Sequence, residues 1–342
     1  MSLDLPLIWA GLIAVAVLMY VLLDGFDLGI GILFPLARDP QHRDAMMDSI
    51  APIWDGNETW LVLGGGGLLA AFPLAYSILM PALYIPVYLM LLALILRGVA
   101  FEFRLRGRRR GKRFWTAAFA GGSLVGALAQ GLILGGFVQG VRMHGLDFAG
   151  GPFDWFTGYS IVTALGVAAG YTLLGAGWLM VKTEGDLHED ARRWAAVAAV
   201  AVALFLAAIS VLTLFLHPFI ATRWGWTGHA FDFARLAPLL LIPFLGAIGL
   251  AMVAWGIWTN GHRLPFAGGF TVFLSGYIGL AYSFFPFAVP YGVTYRQAAS
   301  APNALGLMLV GIAILLPVIL GYTVWVYYIF RGKVSADAGY HA

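Results

Sequence analysis

The chain contains no cysteine. This absence excludes disulfides, thiolate metal sites, iron–sulfur clusters and cysteine nucleophiles. Charge is also scarce, since 11% of the 342 residues are Asp, Glu, Lys or Arg, whereas soluble domains carry about 25%. With 61% hydrophobic residues, too little polar surface remains to cover a soluble core. The composition therefore predicts an integral membrane protein, and the small net charge of +3 indicates no nucleic-acid partner.

Long polar stretches are missing too, so we expect residues 1–342 to form a single membrane domain. A membrane-spanning helix needs about 20 apolar residues. By that criterion the sequence predicts an all-α protein with about nine transmembrane helices, at 7–33, 51–72, 78–101, 114–138, 158–181, 194–216, 236–259, 267–289 and 304–330. Two prolines in SFFPFAVPYG (283–292) predict that the eighth helix breaks or ends there.

Lys and Arg are distributed unequally between the two sets of loops. Of the twenty, fifteen lie in the loops at 34–50, 102–113, 182–193 and 260–266 and in the C-terminal tail, four lie in the opposite loops, and Arg97 lies within the third helix. Cytoplasmic loops carry the excess of Lys and Arg. The N-terminus is therefore predicted outside and the C-terminus in the cytoplasm. The basic run RLRGRRRGKR (104–113) fits a topology determinant, or a surface for anionic lipid headgroups.

Four carboxylates lie inside or against two predicted helices. Asp24 and Asp27 belong to LLDGFDLGIG in the first helix, and Asp55 and Glu58 to APIWDGNETWLV in the second. A charge at the bilayer centre costs about 2.5–3.5 kcal/mol on insertion scales, so such residues usually have a partner or a task. Within each helix the two acids are three residues apart and share a face. The antiparallel order places all four in the cytoplasmic third of the membrane.

The third helix carries Arg97 and Glu102 at its cytoplasmic end, so the three antiparallel helices bring the four acids and Arg97 to one depth. Because a guanidinium does not lose its proton, Arg97 is the expected partner for one or two of the carboxylates. The remaining acids would then suit proton uptake. An alternative interpretation is that the acids only mark helix ends at the lipid headgroups.

Histidine is absent from the middle of every predicted helix. The deepest of the seven, His217, precedes Pro218 at the outer end of the sixth helix, and no metal-ligand spacing occurs. We therefore expect no haem or metal bound by this chain's own ligands. The sequence also lacks a nucleophile motif and a nucleotide-binding glycine loop.

Five stretches together resemble one family, subunit II of the cytochrome bd-type quinol oxidases. They are DGFDLGIG (24–31), SIAPIWDGNETWLV (49–62), ILRGVAFEFR (95–104), KTEGDLHEDAR (182–192) and FFPFAVP (284–290). The resemblance extends over the whole chain, and its motifs fit both the cyanide-sensitive and the cyanide-insensitive branches. It implies two four-helix bundles plus a peripheral helix, in the bacterial cytoplasmic (inner) membrane.

The same resemblance implies a respiratory function carried out with a partner. A haem-carrying subunit I would hold b-type haems and haem d (or b), oxidise quinol and reduce oxygen to water. Subunit II would support it and contribute a cytoplasmic proton path, with an oxygen path or a structural quinone in some members. A small accessory subunit is a further candidate partner, besides the lipid bilayer.

Individual roles also follow from the resemblance. Asp55 matches the family position assigned to proton entry, whereas Asp27 and Arg97 match positions that support the haem environment across the interface. Trp60 matches a position near an oxygen entry. Position 58 is Glu here and Gln in some members, so the resemblance leaves open whether Asp55 or Glu58 holds the transferable proton.

Two other functions fit the same residues. A proton- or cation-coupled secondary transporter also uses membrane acids paired with arginine, but the sequence shows no clear internal repeat or matched pair of broken helices. A membrane scaffold would use the acids only to pair with Arg97 and lipid headgroups. Charge-neutralising substitutions separate these functions when made at Asp24, Asp27, Asp55 and Glu58. A scaffold should lose assembly of the complex, whereas a proton path should lose turnover with assembly intact.

Overall fold

The structure, a computed structural model, describes residues 3–106 and 109–334 and is almost entirely helical. Its helices are α1 (Leu5–Leu33), α2 (Pro40–Asp48), α3 (Trp54–Ala71), α4 (Pro73–Arg106), α5 (Arg109–Gln139), α6 (Gly158–Lys182), α7 (Gly185–Leu214), α8 (Pro218–Arg223), α9 (Phe233–Leu239), α10 (Leu241–Trp258), α11 (Leu264–Phe284), α12 (Tyr295–Ala298) and α13 (Pro302–Ile329). Two short antiparallel hairpins, β1 (Met143–His144) with β2 (Asp147–Phe148) and β3 (Phe287–Val289) with β4 (Val293–Thr294), lie in the connections. The predicted all-α membrane class is confirmed.

Each of the nine predicted spans coincides with a helix. Within the described residues, eight helical segments are long and apolar enough to cross a membrane. The predicted span that is not among them is α3, whose 18 residues include Asp55, Asn57 and Glu58. At about 1.5 Å per residue, α3 is close to the thickness of a bilayer's hydrocarbon core.

Several helix ends differ from the prediction because apolar length does not define them. The sixth helix begins at Gly185, not 194, so the charged residues expected in a loop extend α7 beyond its apolar part. The eighth helix ends at Phe284, not 289, as the two prolines indicated, and residues 287–289 form β3. The predicted loop at 217–235 contains α8 and the start of α9.

The long helices pack as two groups. α1, α3, α4 and α5 contact one another in the first half of the chain, and α6, α7, α10 and α11 do so in the second. The groups meet where α1 and α5 pack on α6, and α13 lies at the periphery against α1 and α3. This arrangement places the four acid positions on the helices of the first group.

Glycine allows the two groups to approach closely. A Cβ atom on Gly29 of α1 would lie 1.8 Å from the carbonyl oxygen of Tyr171 in α6, and one on Gly175 would lie 2.5 Å from backbone atoms of Gly29 and Ile30. Such contact through small residues is how helices associate within a bilayer. The tight crossing fixes α1, and with it Asp24 and Asp27, against the second half of the molecule.

The two ends of the molecule can be recognised by their ion pairs. At one end Asp4 pairs with Arg296, at 2.6 Å between Oδ2 and Nη2. At the other end Lys333 pairs with Glu184, at 2.9 Å between Nζ and Oε1. The first and last helices therefore place the two ends of the described chain at opposite ends of the molecule.

Of the basic residues used to predict sidedness, Arg108 lies outside the described residues.

Candidate functional site in a buried charge cluster

Arg97 is the centre of a charge cluster formed by α1, α3 and α4. Its Nη1 lies 2.6 Å from Oδ1 of Asp24, and its Nη2 lies 3.1 Å from Oε2 of Glu58. The side chains of Arg97 and Asp24 are 2% and 0% exposed, whereas Glu58 is 31% exposed. The expectation that Arg97 partners one or two carboxylates agrees with this geometry. A buried charge of this kind needs a close counterion because the desolvation cost is several kcal/mol per ion.

Asp27 lies one turn further along α1 and is held by a neutral group. Its Oδ2 accepts a hydrogen bond of 2.7 Å from Nδ2 of Asn57, which also approaches the carbonyl oxygen of Leu23 at 3.4 Å. Oδ1 of Asn57 in turn accepts a hydrogen bond of 2.8 Å from the hydroxyl of Tyr327 in α13. Asp27 and Asn57 are each 1% exposed. The second acid therefore belongs to a polar chain that reaches the peripheral helix.

A second polar chain begins one turn before Asp24. The hydroxyl of Tyr171 donates to Oε1 of Gln130 at 2.6 Å, and Nε2 of Gln130 donates to the hydroxyl of Tyr20 at 2.8 Å. Because Tyr20 is four residues from Asp24 in a helix, the two side chains lie on one face. One carboxyl oxygen on each of the two aspartates, Oδ2 of Asp24 and Oδ1 of Asp27, is buried with no hydrogen-bond partner among the described residues.

The structure brings only some of the predicted residues together. Asp24, Asp27, Glu58 and Arg97 form the cluster, whereas Asp55 is exposed in the first turn of α3. A carboxylate is favoured there by the helix dipole. Glu102, on the other hand, is exposed on α4 and has no ion pair within the described residues.

A second buried arginine was not expected from the sequence. Arg104 is 2% exposed, and its Nη1 lies 2.7 Å from Oδ1 of Asp44 in α2. Its Nε donates to Oγ1 of Thr116 at 3.1 Å, and its guanidinium lies 4.9 Å from the ring centre of Phe34. Arg104 therefore joins the loop helix α2 to α4 and α5, next to the charge cluster but separate from it.

Trp60 is buried on α3 and lines an apolar crevice. Its side chain is 1% exposed, and its Nε1 has no acceptor among the described residues. The crevice lies between α1, α3 and α13 and is lined mainly by Trp9, Ile13, Leu63 and Leu316. Such a crevice suits a small apolar molecule better than an ion.

Three of the described histidines have hydrogen-bond partners within the fold. His188 and His262 each place Nδ1 3.1 Å from the carbonyl oxygen of Met180, and His217 accepts a hydrogen bond from the backbone of Phe219. No grouping of three His, Cys, Asp or Glu residues that could hold a metal ion occurs in the part of the chain that the structure describes.

Five members of the two hydrogen-bond chains were not predicted from the sequence, namely Asn57, Gln130 and the three tyrosines Tyr20, Tyr171 and Tyr327. Asn57 stands between Asp55 and Glu58 in the same polar stretch, so its position in APIWDGNETWLV was a usable signal. Gln130 is a lone polar side chain in an apolar helix, which was also a signal. Tyr327 gave none, because it is one of fourteen tyrosines and lies 270 residues from Asn57.

Known proteins resemble this chain over almost its full length. The cytochrome bd ubiquinol oxidase subunit 2 of Bacillus subtilis is 29% identical over 334 residues, covering 96% of each chain. The cytochrome bd-I ubiquinol oxidase subunit 2 of Escherichia coli K12 is 28% identical over 375 residues, covering 97% of this chain and 96% of its own. Both relatives therefore align with this chain over nearly its whole length.

A solved structure shares the fold. A chain of the bd oxidase from Geobacillus thermodenitrificans superposes with a TM-score of 0.72 at 18% identity, covering 97% of this chain and 100% of its own. The model of the family named cytochrome bd terminal oxidase subunit II matches residues 5–330. The family model and the relatives both extend along almost the whole chain. This chain therefore belongs to the cytochrome bd terminal oxidase subunit II family, whose members are subunits of a bacterial inner-membrane oxidoreductase.

Proposed function

We propose that this chain supports a haem-carrying subunit I and contributes a proton path from the cytoplasm, without binding haem itself. The observation that carries the proposal is a gradient of exposure along the acids. Asp55 is exposed at the start of α3, Glu58 one turn later is 31% exposed, and Asp24 behind Arg97 is fully buried. A proton entering at Asp55 would thus meet ionisable groups that lead from water to the interior.

The sidedness of the path rests on the basic residues. The end of the molecule that carries Arg104, Lys112, Lys182 and Lys333 is the end at which α3 begins. By the positive-inside rule this end is the cytoplasmic one. Asp55 would then face the cytoplasm, which is where the protons for water formation would be taken up.

Within the cluster the carboxyl groups would move protons and the guanidinium would hold them in place. Arg97 stays charged at all relevant pH values, so it serves as the fixed counterion for Asp24 and Glu58. Haems b and d (or b) on subunit I would supply electron transfer from quinol and the reduction of oxygen. This chain's residues would bind and release protons, exclude water by packing, and hold the acids in register.

An oxygen entry at Trp60 is a second element of the proposal. The crevice that Trp60 lines between α1, α3 and α13 is walled by apolar side chains. Oxygen is small and apolar, so it partitions into such a region more readily than water does. On α1 the crevice is lined by residues between 9 and 15, whereas the charge cluster begins at Asp24, and this separation along α1 would keep the two substrates apart.

The decisive experiment neutralises the entry. We expect Asp55→Asn, in the complex with subunit I, to lower quinol-dependent oxygen uptake about 10²–10⁴-fold if Asp55 transfers protons in the slowest step, with the haem absorption spectrum unchanged. Proton uptake by liposomes containing the complex should fall in parallel. Asp147→Asn is the matched control, since Asp147 is exposed in β2 at the opposite end. Wild-type turnover of Asp55→Asn with intact haem would contradict the proposal.

The two alternative functions are separated by the same variants. The scaffold hypothesis draws on the fact that the Arg97 ion pairs also join three helices, and it expects loss of subunit I from the complex instead of slow turnover. Membership of the oxidase subunit family favours a role within the complex over a secondary transporter that acts alone.

A further inference from the structure

The three acids of the charge cluster are not equivalent in their partners. Arg97 has two terminal nitrogens, and they are directed to Asp24 and Glu58. Asp27 has no cationic partner within hydrogen-bond distance in the described residues; its contact is the neutral amide of Asn57. The cluster therefore holds one guanidinium and three carboxyl groups. Two of the carboxyl groups pair with the guanidinium, and the third, Asp27, has a neutral partner.

The surroundings of Asp27 favour an uncharged side chain. Asp27 and Arg97 line a small gap whose other walls are the apolar side chains of Ile50, Trp54 and Phe101, with Phe119 behind. A buried carboxylate without a paired cation is costly, and a protein usually avoids the cost by keeping the group protonated. Because Oδ2 of Asp27 accepts the hydrogen bond from Asn57, the proton of a neutral Asp27 would lie on Oδ1, which has no partner among the described residues.

The hydrogen bond from Asn57, by contrast, favours the charged form of Asp27. Nδ2 of Asn57 donates to Oδ2 of Asp27 at 2.7 Å, and a hydrogen bond from an amide is stronger to a carboxylate than to a neutral acid. The amide could turn by half a rotation and present its oxygen instead. Two contacts oppose this turn: the hydroxyl of Tyr327 donates to Oδ1 of Asn57 at 2.8 Å, and Nδ2 of Asn57 also donates to the carbonyl oxygen of Leu23 at 3.4 Å, so the NH₂ group stays towards Asp27.

We propose that Asp27 is the acid of the cluster that takes up and releases a proton, and that Tyr327 of the peripheral helix α13, acting through Asn57, is a positioning residue that keeps Asp27 poised between its two states. This assignment rests on the proposed proton path and adds to it which acid titrates. The charged or titratable groups that face Asp27 are Asp24 on α1, Glu58 on α3, Arg97 on α4 and Tyr327 on α13.

The register of α13 supports the assignment of Tyr327. Just after the end of the helix, the Nζ of Lys182 donates to the carbonyl oxygens of Phe330 and Gly332. The backbone N–H of Val334 donates to the carbonyl oxygen of Lys182 at 2.9 Å. A helix at the periphery would otherwise be free to rotate or slide. This clamp holds Tyr327 at the depth of Asn57.

The experiment is infrared difference spectroscopy of the membrane-embedded complex with subunit I, following the carboxylic C=O stretch during a pH titration and after exchange into D₂O. Asparagine has no such band, so Asp27→Asn should remove it, and Asp27→Glu should move it. Glu58→Gln should leave it in place. Haem content reports whether each complex assembles, and the wild-type titration with ¹³C-labelled aspartate shows whether the band comes from an aspartate or from a glutamate such as Glu58.

Tyr327→Phe tests the positioning role and Tyr328→Phe is its control, since Tyr328 is 64% exposed on the same helix. Losing the oriented donor should raise the midpoint pH of the band by about one pH unit, because a hydrogen bond from the amide favours the charged form of the carboxyl group. Tyr328→Phe should not move it. A similar shift in both variants, or none in Tyr327→Phe, would overturn the positioning role.

The failure of this inference can be told from the failure of the proton path. A band that persists in Asp27→Asn, or that is missing from the wild type at every pH, would overturn the assignment of Asp27 even if Asp55→Asn turns over slowly. Conversely, full turnover in Asp55→Asn with the Asp27 band present would overturn the path and leave the titration of Asp27 intact.

Discussion

Both halves of the molecule contain close helix contacts through glycine, such as Gly122 of α5 against α4, but the first half adds a buried charge cluster. In the first half, Arg97 joins α1, α3 and α4 through ion pairs with Asp24 and Glu58. In the second half, α10 and α11 meet through glycine: a Cβ on Gly268 would lie 2.6 Å from the carbonyl oxygen of Gly249, and one on Gly249 would lie 2.8 Å from that of Gly268.

The difference favours the first half as the part of the molecule that carries the proposed proton chemistry. Close packing through small residues is the ordinary way for helices to associate in lipid, and it needs no buried charge. Buried ion pairs often stabilise no more than apolar residues of similar volume would. The charges of the first half are therefore better explained by chemistry than by packing, and this comparison can be tested.

Removing the central cation of the first half should have the largest effect on stability. Arg97→Met leaves Asp24 buried without its cation, and removing one partner of a buried pair costs about 3–5 kcal/mol. We expect a much lower thermal midpoint for the detergent-solubilised complex, measured by loss of haem absorption, and little co-purified subunit I.

The double variant Asp24→Leu with Arg97→Met separates the two functions of the pair. It removes both buried charges, so thermal stability should largely return while oxygen uptake stays low. A double variant that recovers full turnover would show that the ion pair only holds the helices.

The second half should respond to size instead of charge. Gly268→Ala places a methyl group against the backbone of α10, and overpacking of this kind costs about 1–3 kcal/mol. Gly276→Ala on the same helix is the control, because the nearest atom to its Cβ, on Leu206, is 4.0 Å away. The readout is again the thermal midpoint of the complex, and turnover per assembled complex should stay at the wild-type level. Equal midpoints for both alanine variants would contradict the tight crossing.

The smallest effect is expected at the surface. The hydrogen bond from Lys333 lowers the pKa of Glu184, and its charge acts in the same direction. Because the folded pKa is the lower one, the stability from this pair is present above the ordinary glutamate range and is lost as the pH falls through the folded pKa. Lys333→Gln should remove that acid-side loss from the pH profile of the thermal midpoint, whereas Arg331→Gln should leave the profile unchanged.

Much of the fold could be predicted because the membrane imposes a simple length rule. Runs of about 20 apolar residues marked each long helix, and the prolines at 286 and 290 marked the end of α11. The rule failed at Gly185, where α7 begins in a charged segment. Hydrophobicity reports where a helix crosses lipid, and it carries no information on how far the helix extends into water.

The charge cluster was predictable in kind. Carboxylates in apolar segments need a partner, and Arg97 was the one arginine within a predicted helix. What the sequence did not reveal is burial: Asp55 and Glu102 are exposed, whereas Asp24, Asp27 and Arg97 are buried. A difference of one helical turn decides between water and the interior, and predicted helix ends are uncertain by about that much.

The sequence by itself determined the class of the protein, its membrane spans and the acids and the arginine of the cluster, because these follow from composition and from local order along the chain. Only the tertiary structure decided which acid faces Arg97, which one is left to Asn57, and that Tyr327 reaches them from the far end of the chain. Those pairings depend on how helices distant in sequence cross, and the crossings are set by glycine contacts such as Gly29 against α6. Helical periodicity tells which side chains share a face, and packing alone tells what that face meets.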